Sequence, residues 1–370
     1  MSYSPNGVRI RVLGLVPYLY DTAPGQRFRI EQWEPQLRPL GIDVDFQPFE
    51  DDELHSILYK PGSTSRKVRL TGEGVVRRLR LLRRVTDYDL IYLYREAALL
   101  GPPLLEYWLG RSGPPMIFDF DDAIFVPIKT STSGHLSILK FAPAKTRTAC
   151  RMSAHVMVGN RFLAEFAERY NKSVTVIPTT IDTDKYRADA PRAPDALPVI
   201  GWSGSHSTVA HLDVARSILR RLHSEERFRL KVIGTASYEI PGLEVEALAW
   251  SATDEVSDLR QIDIGIMPLP DDSWSRGKCG LKALQYMALG IPAVCSPVGV
   301  NAEIIQDGRN GFLASTDDEW IERLTKLLRS PDLRRRVGAA GRATVEQTYS
   351  AEAQVPRVAE LIRSVARARR

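Results

Sequence analysis

The chain has 370 residues, 44% hydrophobic and 26% charged, with 50 Lys and Arg against 45 Asp and Glu. That balance fits a globular protein of about two domains and excludes disordered and fibrous classes; the formal charge of +5 is spread along the chain, so no nucleic-acid partner is indicated. Cys150, Cys279 and Cys295 are odd in number and lack C-x-x-C spacing, so neither a disulfide framework nor a zinc site is suggested, and no apolar run approaches the roughly 20 residues of a membrane span.

The opening "MSYSPNGVRIRVLGLVP" is cut by Arg9, Arg11 and Pro17 and makes a poor secretory signal, so a cytoplasmic location is expected. "VRIRVLGLVP" reads as a buried strand. A helical stretch through Trp33, Leu37 and Leu40 closes at Gly41, and "IDVDFQPF" is a second strand. A basic helix near 73–85 follows, then the strand "DLIYLY", a helix over 104–109 and the strand "MIFDF". After a helical region come "HVMVG", the helix "RFLAEFAERY" and the strand "VTVIP".

Residues 186–198, "YRADAPRAPDALP", offer little to bury and read as a linker. The alternation then restarts. "PVIGWSG" is a strand, a helix runs through Val209, Leu212 and Leu222, and "LKVIG" and "DIGIMPL" are strands. A helix over 280–289, the strand "IPAVCS" and a helix through Trp320, Leu324 and Leu328 complete the set. Strands alternating with helices indicate α/β architecture with two doubly wound, Rossmann-like domains, 1–188 and 189–350. Residues 351–370 are expected to form a last helix returning to the first domain. Ligands of such sheets bind beyond the carboxyl ends of the strands, so function belongs to those loops and to a cleft between them.

In "DIGIMPLPDDSWSRGKCGLKALQYMALGIPAVCSPVGV", a strand runs into a loop and then a helix opening at Gly280. Its unpaired N–H groups, approached through Gly277 and Gly280, suit a phosphate. Lys278, Lys282 and Gln285 fall on one helical face and Leu281, Leu284 and Ala288 on the other; the bland alternative is a solvated lysine pair above a core face.

At this point the chain resembles the family 4 glycosyltransferases of GT-B fold, which take a sugar from a nucleotide donor with retention. "GLKALQYMALGIPAVCSPVGVNAEIIQDGRNGFLA" is similar to the donor-binding block. "VTVIPTTIDTDKY" occupies the place of the strand and turn that usually end in Asn-Gly-Val-Asp, and "APGQRFR" that of the glycine loop after the first strand. The resemblance implies donor contacts from Gly25, Gly204, Ser205, Trp250, Lys278, Gly280, Leu281, Lys282 and Gln285, with Gln26, Arg27, Arg95 and Glu96 on the acceptor side. The family's two glutamates, eight apart, are here Gly277 and Gln285. The implied co-substrate is a nucleotide-diphosphate sugar, with no cofactor and no metal. The acceptor is a glycan, a lipid-linked molecule or a small molecule. High Arg and Ala content suggests a GC-rich bacterial source.

"FDFDD" places Asp119, Asp121 and Asp122 at the end of a buried strand. Where the family has a His-Asp pair, Asp121 and Asp122 stand as the catalytic positions. Asp121 would take the acceptor's proton or only orient its hydroxyl. Asp119 and Asp121 would also fit a haloacid-dehalogenase-type Mg²⁺ phosphatase, as nucleophile and general acid, and the departures at 277 and 285 leave open a non-catalytic sugar-nucleotide-binding protein. Arg95 ends the neighbouring strand and can pair with Asp121. "RRLRLLRR", 77–84, is either a solvated helix face or a weak peripheral contact with anionic lipid at the inner membrane surface.

Overall fold

The first sheet takes its strand order from its crossovers. In the computed structural model, which describes residues 9–58, 60, 62–126, 141–188, 197–204 and 208–368, six parallel strands are ordered β2-β1-β3-β4-β5-β6. They are β1 (Ile10–Val16), β2 (Ile42–Pro48), β3 (Leu90–Tyr94), β4 (Met116–Phe120), β5 (His155–Val158) and β6 (Val174–Val176). The inner strands β3 and β4 are buried throughout, as a sheet covered on both faces requires.

The helices between them are α1 (Pro24–Gln26), α2 (Gln32–Leu37), α3 (Asp52–Leu58), α4 (Thr64–Leu81), α5 (Leu104–Leu109), α6 (Ala142–Met152) and α7 (Arg161–Ala167). The basic helix begins at Thr64, well before the expected start near 73, and α3 carries no signal that the periodicity caught. Between α1 and α2 the chain makes a π-turn over Arg27–Glu31, kinked at Arg29. That kink turns Arg29 inward. Gly41, at φ 78°, ends the segment with a left-handed cap that glycine adopts without steric cost.

The second sheet, ordered β12-β11-β10-β7-β8-β9, is also parallel. Its strands are β7 (Val199–Ser203), β8 (Arg229–Ile233), β9 (Val245–Leu248), β10 (Ile264–Met267), β11 (Ala293–Cys295) and β12 (Phe312–Leu313). The helices are α8 (Ala210–Asp213), α9 (Arg216–His223), α10 (Glu255–Leu259), α11 (Ser273–Arg276), α12 (Leu281–Ala288), α13 (Asn301–Ile304), α14 (Asp317–Arg329) and α15 (Pro331–Thr344), followed by α16 (Ala351–Arg367). Its core gathers Ile200, Trp202, Leu219, Leu230, Ile264, Val294 and Leu324. A capping box at Thr316 and Glu319 starts α14.

Two compact units result, one of residues 1–178 with 354–370 and one of 179–353. Residues 354–367 of α16 thus pack with the first unit, where Arg363 donates to the Leu40 carbonyl at 2.6 Å. Tyr186 corrects the reading of 186–198 as linker from its first residue. It is buried in the second unit, where its hydroxyl donates to Glu255 at 2.8 Å.

Candidate active site

At the carboxyl end of the first sheet, residues two apart on a strand share a face, so Tyr92 and Tyr94 on β3 rise beside Asp119 and Asp121 at the end of β4. Each tyrosine hydroxyl donates to one aspartate: Tyr92 to Asp119, and Tyr94 to Asp121 at 2.6 Å. Arg29, aimed by its kink, grips both oxygens of Asp119, each at 2.6 Å, and donates to the Ile177 carbonyl while lying over the Trp33 ring. Both side chains of that pair are fully buried. Burial raises the Asp119 carboxyl above its ordinary range against the opposing pull of Arg29. This corrects the phosphatase alternative, because a nucleophile must present an oxygen to substrate and both oxygens of Asp119 are committed in the interior.

Asp121 differs. Its Oδ1 accepts from Tyr94 and from Arg95 Nε and Nη2, at 2.6, 2.9 and 2.7 Å. Burial acts to raise its pKa, but Arg95, Arg29 and these hydrogen bonds outweigh it and hold the carboxyl below the usual carboxylate value. A carboxylate so held is a weak proton acceptor at neutral pH and is suited to orienting a hydroxyl. Asp122 lies 3.9 Å from Arg95 Nη2 and accepts from the Ala123 N–H through its own Oδ1. Arg95 takes φ 58°, an uncommon conformation for a side-chain-bearing residue, and its N–H donates to the Asp119 carbonyl. Glu96 pairs with the buried Lys145 at 3.2 Å.

"APGQRFR" folds against this cluster. A Cβ on Gly25 would lie 2.4 Å from the Tyr94 hydroxyl, 2.7 Å from Arg95 Nη2 and 2.8 Å from Asp121 Oδ2. The glycine is therefore required by the Arg95–Asp121 pair itself. Gln26 is fully buried, bonded to the backbone of Tyr18 in both directions and to Glu31, which corrects its assignment to phosphate or acceptor contact. Arg27 is also turned from that role, with its Nε on Asp21 at 2.6 Å and little surface exposed.

In the second unit, the Tyr286 ring packs over Gly265, where no Cβ intervenes, and its hydroxyl accepts from the Ser203 N–H at 2.8 Å. That fixes α12 on β7 and β10. Gly280 caps the helix at φ 72°, and a Cβ there would meet Ile304 at 2.4 Å. Around this start, Lys278 Nζ stands 4.3 Å from the Trp274 ring centre and Lys282 Nζ 5.3 Å from that of Trp202. Leu281 is half-buried in the first turn of the helix. Trp202 Nε1, Ser275 Oγ and Asn301 Oδ1 are buried polar atoms without a hydrogen-bond partner among the described residues.

Gln285 is not on a shared exposed face with the lysines. It is buried, and its amide donates to Glu255 at 3.1 Å and to the Tyr186 hydroxyl at 3.2 Å. Trp250, half-buried, donates from Nε1 to the same Glu255 at 3.1 Å. Glu255 was missed from sequence, although it stands five residues beyond Trp250. Gly204 lies against the Trp202 ring, which leaves no room for a side chain, and Ser205 lies outside the described residues.

Residues 197–330 match the family model described as "Glycosyl transferases group 1". A GDP-mannose-dependent monoacylated alpha-(1-6)-phosphatidylinositol monomannoside mannosyltransferase of Corynebacterium glutamicum is 28% identical over 178 residues, 46% of this chain and 40% of that protein. Spore coat protein SA of Bacillus subtilis is 33% identical over 84 residues, 22% of this chain and 21% of that protein. The chain thus spans less than half the length of both curated relatives. Among solved structures, sucrose-phosphate synthase of Thermosynechococcus elongatus superposes with a TM-score of 0.71 at 13% identity, covering 97% of this chain and all of that one. HepE of Anabaena in complex with UDP-glucose gives 0.64 at 13%, covering 96% and 100%. The fold is that of the GT-B glycosyltransferases.

Proposed function

We propose that the protein is a glycosyltransferase that moves a sugar from a nucleotide-diphosphate sugar to an acceptor hydroxyl, with retention. The start of α12 carries this reading. A glycine-capped helix N-terminus with Lys278 and Lys282 beside it, inside the segment that matches the group 1 family model, suits a diphosphate.

In this account the helix N–H groups, Lys278 and Lys282 stabilise the charge that develops on the leaving diphosphate. Trp250 receives the nucleoside base. The buried Glu255, bonded to Trp250, Tyr186 and Gln285, holds that tryptophan in place. Asp121 and Asp122, kept in place by Arg95 and Tyr94, orient the acceptor, with Glu96 beside them. The named activity of the mannosyltransferase and the complex of HepE with UDP-glucose support a nucleotide-sugar donor, and the former allows a lipid-linked acceptor. A cytoplasmic protein touching the inner membrane surface through 77–84 fits such an acceptor.

Turnover tests the reading. UDP-, GDP-, ADP- and TDP-hexoses are offered with acceptor mixtures, with and without EDTA, and nucleoside diphosphate release is followed. Release from one donor is expected in both conditions. Nucleotide binding without any release would leave a binding protein. Mg²⁺-dependent phosphate release that Asp119→Asn abolishes would restore the phosphatase.

A further inference from the structure

We propose that the outward face of α4 and α5 in the first unit is a docking surface for an anionic lipid bilayer. This names the partner for the peripheral contact proposed above and carries it beyond the basic run to a second helix.

On α4, Leu70, Thr71, Gly74 and Arg78 face inward and are buried, which leaves Val68, Val76 and Leu79 as an outward stripe, 64%, 43% and 39% exposed. On α5, Leu105, Glu106 and Leu109 are buried, and Leu104, Tyr107 and Trp108 stand out at 51%, 41% and 43%. Of the nine large apolar side chains exposed among the described residues, these are six, so the exposure is concentrated rather than scattered.

The two helices lie on one side of the sheet. The crossovers from β2 to β3 and from β3 to β4 step in the same direction, and right-handed connections then place both helices on the same face. Ala97 joins them, its carbonyl accepting from Arg78 of α4 at 3.0 Å and its N–H donating to Glu106 of α5 at 3.1 Å.

Charge selects the partner. Residues 64–84 hold eight basic side chains, Arg66, Lys67, Arg69, Arg77, Arg78, Arg80, Arg83 and Arg84, against the single acid Glu73. Arg66, Arg69, Arg77 and Arg84 pair with nearby acids, whereas Arg80 and Arg83 are exposed with no acidic partner among the described residues. Arg111 lies over the Tyr107 ring. Exposed arginines along an apolar stripe, with Tyr107 and Trp108 exposed on the neighbouring helix, match the headgroup layer of a bilayer. No helix among the described residues is long and apolar enough to cross a membrane, so the contact is peripheral.

Co-sedimentation with vesicles tests this, comparing phosphatidylcholine alone with phosphatidylcholine containing phosphatidylglycerol. The chain is expected to partition onto the anionic vesicles, less so as salt rises, with a blue shift of tryptophan emission that Trp108→Phe removes. Arg80→Glu with Arg83→Glu, and separately Leu104→Ser with Trp108→Ser, should each lower partition roughly tenfold. Both variants should keep the wild-type melting temperature and nucleotide response, so loss of lipid binding is distinguishable from failure of the donor site. Absent or charge-independent partition overturns the proposal. So does a concentration-dependent oligomer that Trp108→Ser dissolves, which would assign the face to protein instead.

Discussion

The carboxyl ends of the two sheets hold their charges in different ways. In the first unit arginines are gripped by carboxylates, Arg29 by Asp119 and Arg95 by Asp121, with tyrosine hydroxyls completing each set. In the second, the lysines at the start of α12 sit over tryptophan rings, and the nearby buried carboxylate Glu255 accepts from tryptophan, tyrosine and glutamine. A buried ion pair costs much when one partner is removed, whereas a cation over a ring contributes about 0.5–2 kcal/mol. The first arrangement is a buried, tightly paired cluster, and the second is the one proposed above to meet a diphosphate.

Cutting the deepest pair breaks the comparison most severely. Asp119→Ala leaves Arg29 buried without its counter-charge and should cost about 3–5 kcal/mol, read as a large fall in denaturation midpoint. Gly25→Ala tests the same cluster by shape. Its methyl would press on Tyr94, Arg95 and Asp121, for a loss of about 1–3 kcal/mol together with reduced transfer activity. Such a loss without any change in activity would separate the cluster from the acceptor role.

Asp121→Asn gives a smaller effect that depends on pH. The folded carboxyl titrates below its unfolded value of about 3.9, so its contribution is present at neutral pH and is lost as pH falls through the folded value. The melting-temperature gap between wild type and variant should therefore be constant from pH 5 to 8 and shrink in stronger acid. Transfer by the wild type should show no inflection from this group over pH 5–8. An acidic limb centred near pH 6 that the variant removes would give Asp121 the role of base.

The fold was legible because parallel strands buried on both faces write continuous apolar runs such as "DLIYLY" and "MIFDF", and because Gly41, Gly280 and Gly290 punctuate their helices. The start of α12 was legible for the same reason. The partnerships were not. Arg29 reaches Asp119 across 90 positions, and only the unscripted kink between α1 and α2 aims it there. Gln285 takes a polar position on a helical wheel, yet α12 is buried on nearly every side, so the wheel misplaced it. Tyr186, set beside prolines and alanines, gave no sign that its ring would be covered.

The central claim concerns the second unit, and thermal-shift titration with UDP, GDP, TDP and ADP tests it most directly, on wild type and on Lys278→Ala with Lys282→Ala. One nucleotide should stabilise the wild type with or without EDTA, by about 2.7 kcal/mol at a hundredfold excess over its Kd. The double variant should keep its own melting temperature and bind that nucleotide at least roughly tenfold more weakly. No shift with any nucleotide, or an equal shift in the double variant, would contradict the assignment of the start of α12 as the diphosphate site.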